Sequence, residues 1–107
     1  MNTLTFTQYQ LKAASTAIYP PKNALPYLSL GLTAEAGEVA DKVAKYYRGD
    51  KELNPVALAK ELGDVLWFVS QLSGVLGFSL EQLATMNMNK LQTRQLNNTL
   101  QGDGDNR

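Results

Sequence analysis

Apolar residues recur at intervals of three and four through most of this chain, and nowhere do they alternate long enough to mark a strand. Four segments carry the helical period. The first covers residues 6–18. "TFTQ" at 5–8 has capping-box spacing, with Thr5 as N-cap and Gln8 reaching back. Tyr19-Pro20-Pro21 closes it, because proline lacks an amide hydrogen and restricts its predecessor. The second spans 26–47, with Gly49 placed as a left-handed terminator. The third opens at Asn54-Pro55, an N-cap followed by proline at the first helical position, and ends near Gly77. "SLEQ" at 79–82 is a second capping box and starts a fourth helix through residue 96.

This pattern predicts an all-α protein with a four-helix bundle-like subunit. Residues 1–97 read as one domain, and 98–107 as a polar, Gly-rich, irregular tail. The third helix carries no charge from residue 65 onward and is apolar nearly all round, which calls for burial on several sides. A chain of 107 residues has little else to surround it, so an oligomer is expected, a homodimer or homotetramer. The uncharged run at 65–80 is shorter than the roughly 20 residues a membrane span needs, so no membrane role is expected. The N-terminus shows no basic segment followed by an apolar run, and does not read as a signal peptide.

Composition removes several chemistries. Ten basic and ten acidic residues cancel, and no basic stripe appears, so nucleic acid is not an expected partner. The absence of cysteine excludes disulfides and thiol chemistry and fits a cytoplasmic setting. The absence of histidine removes the Ser-His-Asp triad, Glu-x-x-His diiron sites and nearly all zinc or copper sites.

Against that background two acid pairs stand out. Glu35 and Glu38 lie three apart, Glu35 at the edge of the second helix's apolar arc, which runs from Leu28 to Tyr47, and Glu38 just outside it. Glu61 and Asp64 repeat the step on the third helix, framed by Trp67, Phe68 and Leu72. Side by side, the two helices would converge four carboxylates, whose repulsion and desolvation a hard divalent cation relieves. An all-oxygen set favours Mg²⁺, with Mn²⁺ as alternative, and Mg²⁺ commonly shares its shell with substrate phosphates. A single such pair is ordinarily a solvated helix edge. From spacing alone the solvated edge and the metal site both stand.

The ordered set Glu35-x-x-Glu38, 22 residues, Glu61-x-x-Asp64 resembles the signature of the MazG-like, all-α nucleoside triphosphate pyrophosphohydrolases. "LGLTAEAGEVADKVAKYYR" and "KELGDVLWFVSQL" resemble the first two motif helices, and "NMNKL" followed by Arg94 resembles the third. The ending "QGDGDNR" is similar to that of short single-domain members. The resemblance implies metal-dependent hydrolysis of a nucleoside or deoxynucleoside triphosphate to monophosphate and pyrophosphate, for pool housecleaning or precursor control. It implies Glu35, Glu38, Glu61 and Asp64 as metal ligands, Asp41 as an outer-shell acid, and Asn87 and Lys90 as contacts to triphosphate or sugar. It also implies sites shared between subunits. Glu38 is the carboxylate assigned here as general base, and Lys42 joins Lys90 as a phosphate contact.

Each assignment has a plainer counterpart. Trp67 is either a wall for the base or interface packing. Lys42 and Lys45 follow Glu38 and Asp41 by four, the spacing of ordinary helix ion pairs. Lys90 and Arg94 lie near a helix C-terminus, where cations complement the dipole. Taken together, these readings leave a non-catalytic metal- or nucleotide-binding or assembly module as the alternative to an enzyme. Base and sugar preference, metal count, and dimer against tetramer are not encoded in the motifs.

Overall fold

In a computed structural model the described residues, 3–106, form four helices and no strand. They are α1 (Phe6–Ala14), α2 (Ala24–Arg48, entered through a 3₁₀ turn at Pro21–Asn23), α3 (Pro55–Val75) and α4 (Leu80–Leu96). The all-α, four-helix subunit expected from the sequence is present.

The helix ends follow local chemistry. Thr5 Oγ1 accepts from the Gln8 amide at 3.1 Å while Gln8 Oε1 accepts from the Thr5 amide at 2.9 Å. Ser79 and Gln82 repeat this reciprocal box at the head of α4. Asn54 Oδ1 accepts from the amides of Val56 and Ala57, at 3.0 and 3.2 Å. Gly49 terminates α2 at φ 90°, a left-handed conformation that costs glycine little.

Two boundaries differ from the sequence expectation. α1 stops at Ala14 instead of continuing to 18. Ser15 and Thr16 hydroxyls donate to the carbonyls of Lys12 and Ala13, at 2.6 and 2.7 Å, beside amide bonds from the same residues that tighten the helix end to an i→i−3 pattern. α2 begins two residues before Pro26, which lies in the first turn, where amide hydrogens have no intrahelical acceptor in any case.

α2 and α3 pack as an antiparallel hairpin. Gly31 faces Phe68, so closely that a Cβ at Gly31 would fall 2.1 Å from the ring's Cε1. α1 lies across α3 and α4, tied by Gln10: its Nε2 donates to the carbonyls of Ser70 and Phe78, each at 3.2 Å, and its Oε1 accepts from the Leu80 amide at 3.1 Å. Thr7 adds a 2.6 Å bond to Glu81. α4 turns through 97° from α3 and makes no close approach to α2.

The consequence is a thin core. Only Ala13, Ala24, Leu28 and Leu80 are buried apolar residues among those described. Leu62, Leu66, Val75 and Leu76 of the α3 region are exposed, so the all-round burial expected for this helix is not achieved within one chain. Tyr47 also lies outside the core, 82% exposed. The chain exposes 8110 Å², whereas a folded monomer of this mass exposes about 5,900 Å². Its radius of gyration is 16.6 Å, against about 13 Å for a compact domain of this length.

No single helix among the described residues is long and apolar enough to cross a membrane. The tail after α4 is irregular but docked: Asp105 accepts from Lys90 Nζ at 3.1 Å and from Arg94 Nη2 at 3.3 Å, and Arg94 also donates to the Gly104 carbonyl at 3.3 Å. Arg107, part of the ending noted above, lies outside the described residues.

Candidate metal and nucleotide site

The antiparallel register that opposes Gly31 to Phe68 brings Glu35, one turn on along α2, against Asp64, one turn back along α3. Carboxylate oxygens of Glu35, Glu61 and Asp64 all lie within 4.8 Å of one another. Glu35 and Glu61 are half-buried and Asp64 is exposed.

The cluster is electrostatically unfavourable by itself. Burial pushes the Glu35 carboxyl above its ordinary value. The charges of Asp64, Glu61 and Glu38 push it the same way, as does a hydrogen bond shared with Glu61. Among the described residues one cation is paired with it: Lys42 Nζ lies 3.8 Å from Glu61, a long contact that offsets one carboxylate of three. Three convergent carboxylates with no nitrogen or sulfur donor form a set that a hard divalent cation fits, removing the repulsion and the need for a shared proton.

The other predicted residues are distributed as follows. Glu38 is exposed, one turn below Glu35, and is not among the three convergent acids, although its charge reaches Glu35. Asp41 pairs with Lys45 at 2.7 Å, the i,i+4 contact its spacing allowed, and Lys45 holds its carboxyl below the usual range. Lys42 crosses to α3 instead of pairing with Glu38. Trp67 donates from Nε1 to Thr16 Oγ1 at 2.8 Å and meets Phe68 and Tyr19 edge-on, with ring centroids 4.9 and 6.4 Å apart. Asn87 and Lys90 share an open depression of about 260 Å³ on α4 with Leu83 and Met86, and no acid of the cluster lines it. Lys90 is engaged by Asp105.

Two features lacked a sequence signal. A cleft of about 300 Å³ between the end of α2 and the start of α3 is lined by Lys42, which also reaches Glu61, and by Lys45 and Lys51, with Asp41 and Glu52 also present. Lys51 joins it through the turn after Gly49, and no linear spacing foretells that. Tyr9 of α1 has its phenol pKa raised, first by burial and then by the charge of Asp64, which brings α1 into the site's electrostatic field.

Residues 25–98 match the family of the MazG nucleotide pyrophosphohydrolase domain. The chain is also similar to the Gene 37 protein of Mycobacterium phage L5, 44% identical over an alignment of 110 residues that covers 92% of this chain and 96% of that protein. No solved structure matches. The chain belongs to the MazG nucleotide pyrophosphohydrolase domain family.

Proposed function

We propose that this MazG-family chain hydrolyses a nucleoside or deoxynucleoside triphosphate to the monophosphate and pyrophosphate, using a divalent cation held by Glu35, Glu61 and Asp64. The observation that carries this reading is the convergence of those three carboxylates within 4.8 Å on two packed helices. Mg²⁺ suits the donor set, and Mn²⁺ is its nearest substitute. When bound, the cation supplies Lewis acidity at the phosphoryl oxygens and lowers the pKa of the attacking water.

The chain's own residues do the rest. Glu38 makes no ion pair among the described residues and stands one turn from the ligands, a position suited to accepting the water's proton as attack proceeds at the α-phosphorus. Lys42, 3.8 Å from Glu61, has the reach to turn to a phosphate once a cation neutralises that carboxylate. With Lys45 and Lys51 it lines the cleft that would take the departing pyrophosphate, opposing its growing charge. Asp41 holds Lys45 in place.

Assembly of two or four copies belongs to the same proposal. The exposed area is roughly 2,200 Å² above that of a compact monomer, the scale of an obligate interface. It includes Leu62, Leu66 and Leu76 along the α3 side. Asn87 and Lys90 sit on a helix that makes no close approach to α2, so α4 of a second copy is what would bring them to the triphosphate.

The test is pyrophosphate release from a panel of NTPs and dNTPs with Mg²⁺, Mn²⁺ or EDTA, using Glu61→Gln and Glu38→Gln beside the parent. Release is expected only with metal and is lost in both variants while helix content survives. Turnover in EDTA, or an undiminished rate in Glu61→Gln, would refute the assignment.

A further inference from the structure

A second cleft, of about 280 Å³, opens between α1 and α3. Ala14, Gly74 and Val75 give it apolar walls, and Tyr19, Gln10, Ser70 and Gln71 supply its polar groups. These polar groups are not equivalent. The Gln10 amide is fully used by Ser70, Phe78 and Leu80 backbone groups. Gln71 is only 7% exposed, and its Oε1 accepts from the Tyr19 hydroxyl at 3.1 Å, while its Nε2 has no partner among the described residues. Ser70 Oγ is fully buried and likewise has none. A largely apolar cleft with incompletely bonded polar groups at its floor is the usual form of a small-molecule site.

Its placement identifies the ligand part. Gln71 lies seven residues beyond Asp64 on α3, two turns on the same side of the helix, about 10 Å along its axis. Trp67 lies between them and braces Tyr19 edge-on, and Tyr19 stacks on Tyr27 with ring centroids 5.2 Å apart. A nucleotide with its α-phosphate at Asp64 would extend along α3, past Trp67, to place its base at Gln71.

We propose that the α1–α3 cleft is the base subsite and that Gln71 is its specificity-determining residue, donating from Nε2 to the keto oxygen at C4 of a pyrimidine or C6 of a purine. This rests on the nucleotide reading above. Tyr19 is a positioning residue: by donating to Oε1 it fixes the amide so that the donor faces the cleft. Uracil, thymine, guanine and hypoxanthine present a keto oxygen where cytosine and adenine present an amino group. An amino group there would oppose donor to donor and leave the buried amide unsatisfied.

The experiment compares kcat/KM for keto- and amino-presenting dNTPs in the parent, Gln71→Glu and Tyr19→Phe. Trp67 fluorescence is titrated with the matching nucleoside monophosphates, without metal, as a readout independent of turnover. The parent should favour keto bases by at least about tenfold in both assays. Gln71→Glu, which replaces donor by acceptor, should reduce or invert the ratio, and Tyr19→Phe should narrow it. A parent that prefers amino bases overturns the donor assignment. Unchanged ratios in Gln71→Glu, or a shift in oligomer size in place of selectivity, overturn the subsite. Absence of hydrolysis with keto-selective quenching of Trp67 would leave the cleft standing and remove only the activity.

Discussion

Gly31→Ala tests whether the α2–α3 contact has the closeness on which the proposed metal site depends. In most exposed helix positions this exchange stabilises by about 0.5–1 kcal/mol, because glycine gives up more backbone freedom on folding. At Gly31 the added carbon would meet Phe68 Cε1 at 2.1 Å, Cζ at 2.5 Å and Cδ1 at 2.8 Å, all inside contact distance. The ring cannot simply swing away, since Trp67 lies edge-on at 4.9 Å and Tyr27 at 6.2 Å between centroids. Forcing such a contact costs about 1–3 kcal/mol, so the net effect should be a loss of about 0.5–2 kcal/mol. For a chain of this size that lowers Tm by several degrees, roughly 4–8 °C per kcal/mol. Gly37→Ala, where a new Cβ meets nothing within 4 Å, is the control and should stabilise or be neutral. Thermal and urea unfolding in EDTA would measure both. A Phe68→Leu background should remove most of the Gly31→Ala penalty. Because Glu35 is one turn from Gly31, splaying the hairpin also separates the acids, and the Mg²⁺ concentration needed for half-maximal stabilisation should rise. Equal stabilisation by Gly31→Ala and Gly37→Ala would refute the close contact.

Other outcomes follow from the same geometry. Saturating Mg²⁺ should raise Tm, by the equivalent of about 2.7 kcal/mol at a hundred times Kd, and Asp64→Asn should abolish the shift in a calorimetric scan. Glu35, whose folded pKa is raised above 4.5, favours the fold below that value and loses this contribution as pH rises through the folded pKa. The Mg²⁺-induced Tm gain should therefore grow over that window, and a gain independent of pH there would remove Glu35 from the ligand set. Asp105 has the opposite sign: its pKa is lowered by the hydrogen bond and charge of Lys90, then by Arg94, so docking of the tail is complete above 3.8 and is lost as pH falls through the lower folded value. Amide NMR shifts of residues 99–105, followed on acidification, should report that release, and Asp105→Asn should show it at neutral pH. Asn54→Ala should cost about 1 kcal/mol by leaving the Val56 and Ala57 amides uncapped, read by chemical denaturation.

Much of the fold was legible because it is written in short-range chemistry. Thr5-Gln8, Asn54-Pro55 and Ser79-Gln82 act within one helical turn, and each cap forms where the sequence places it. The end of α1 was not legible in the same way. Its apolar period continues past Ala14, but Thr16 Oγ1 serves both the Ala13 carbonyl and the Trp67 indole 51 residues away, a tertiary claim no local window contains. The acids divide likewise. The i,i+3 steps identify which residues share a face, yet which of them converge is fixed by the α2–α3 register, and that register brings in Glu35, Glu61 and Asp64 and leaves Glu38 outside.

That division bears on the proposal that one acid-rich hairpin carries two kinds of carboxylate, ligands and a base. Ligands need to be close enough to share a cation, and closeness raises pKa, as at Glu35. A base has to lie within reach of the water and keep a lone pair uncommitted. The helices approach closely at Gly31 on Phe68, and the acids follow along the hairpin from there. Glu35 and Asp64 occupy the next layer and converge. Glu38 is one turn further along α2, where its neighbour across the gap is Glu61, already 3.8 Å from Lys42. A third acid on α3 at that level would have drawn Glu38 into a second convergent set. Along α2, Glu38 comes instead between Glu35 and the residues Asp41, Lys42 and Lys45 that line the cleft proposed to receive the leaving group. Moving the acid one turn, by pairing Glu38→Ala with Ala34→Glu, should leave Mg²⁺ stabilisation largely intact while failing to restore turnover. Recovery of activity in that double variant would show that proximity to the cluster alone, and not this side of it, is what the reaction requires.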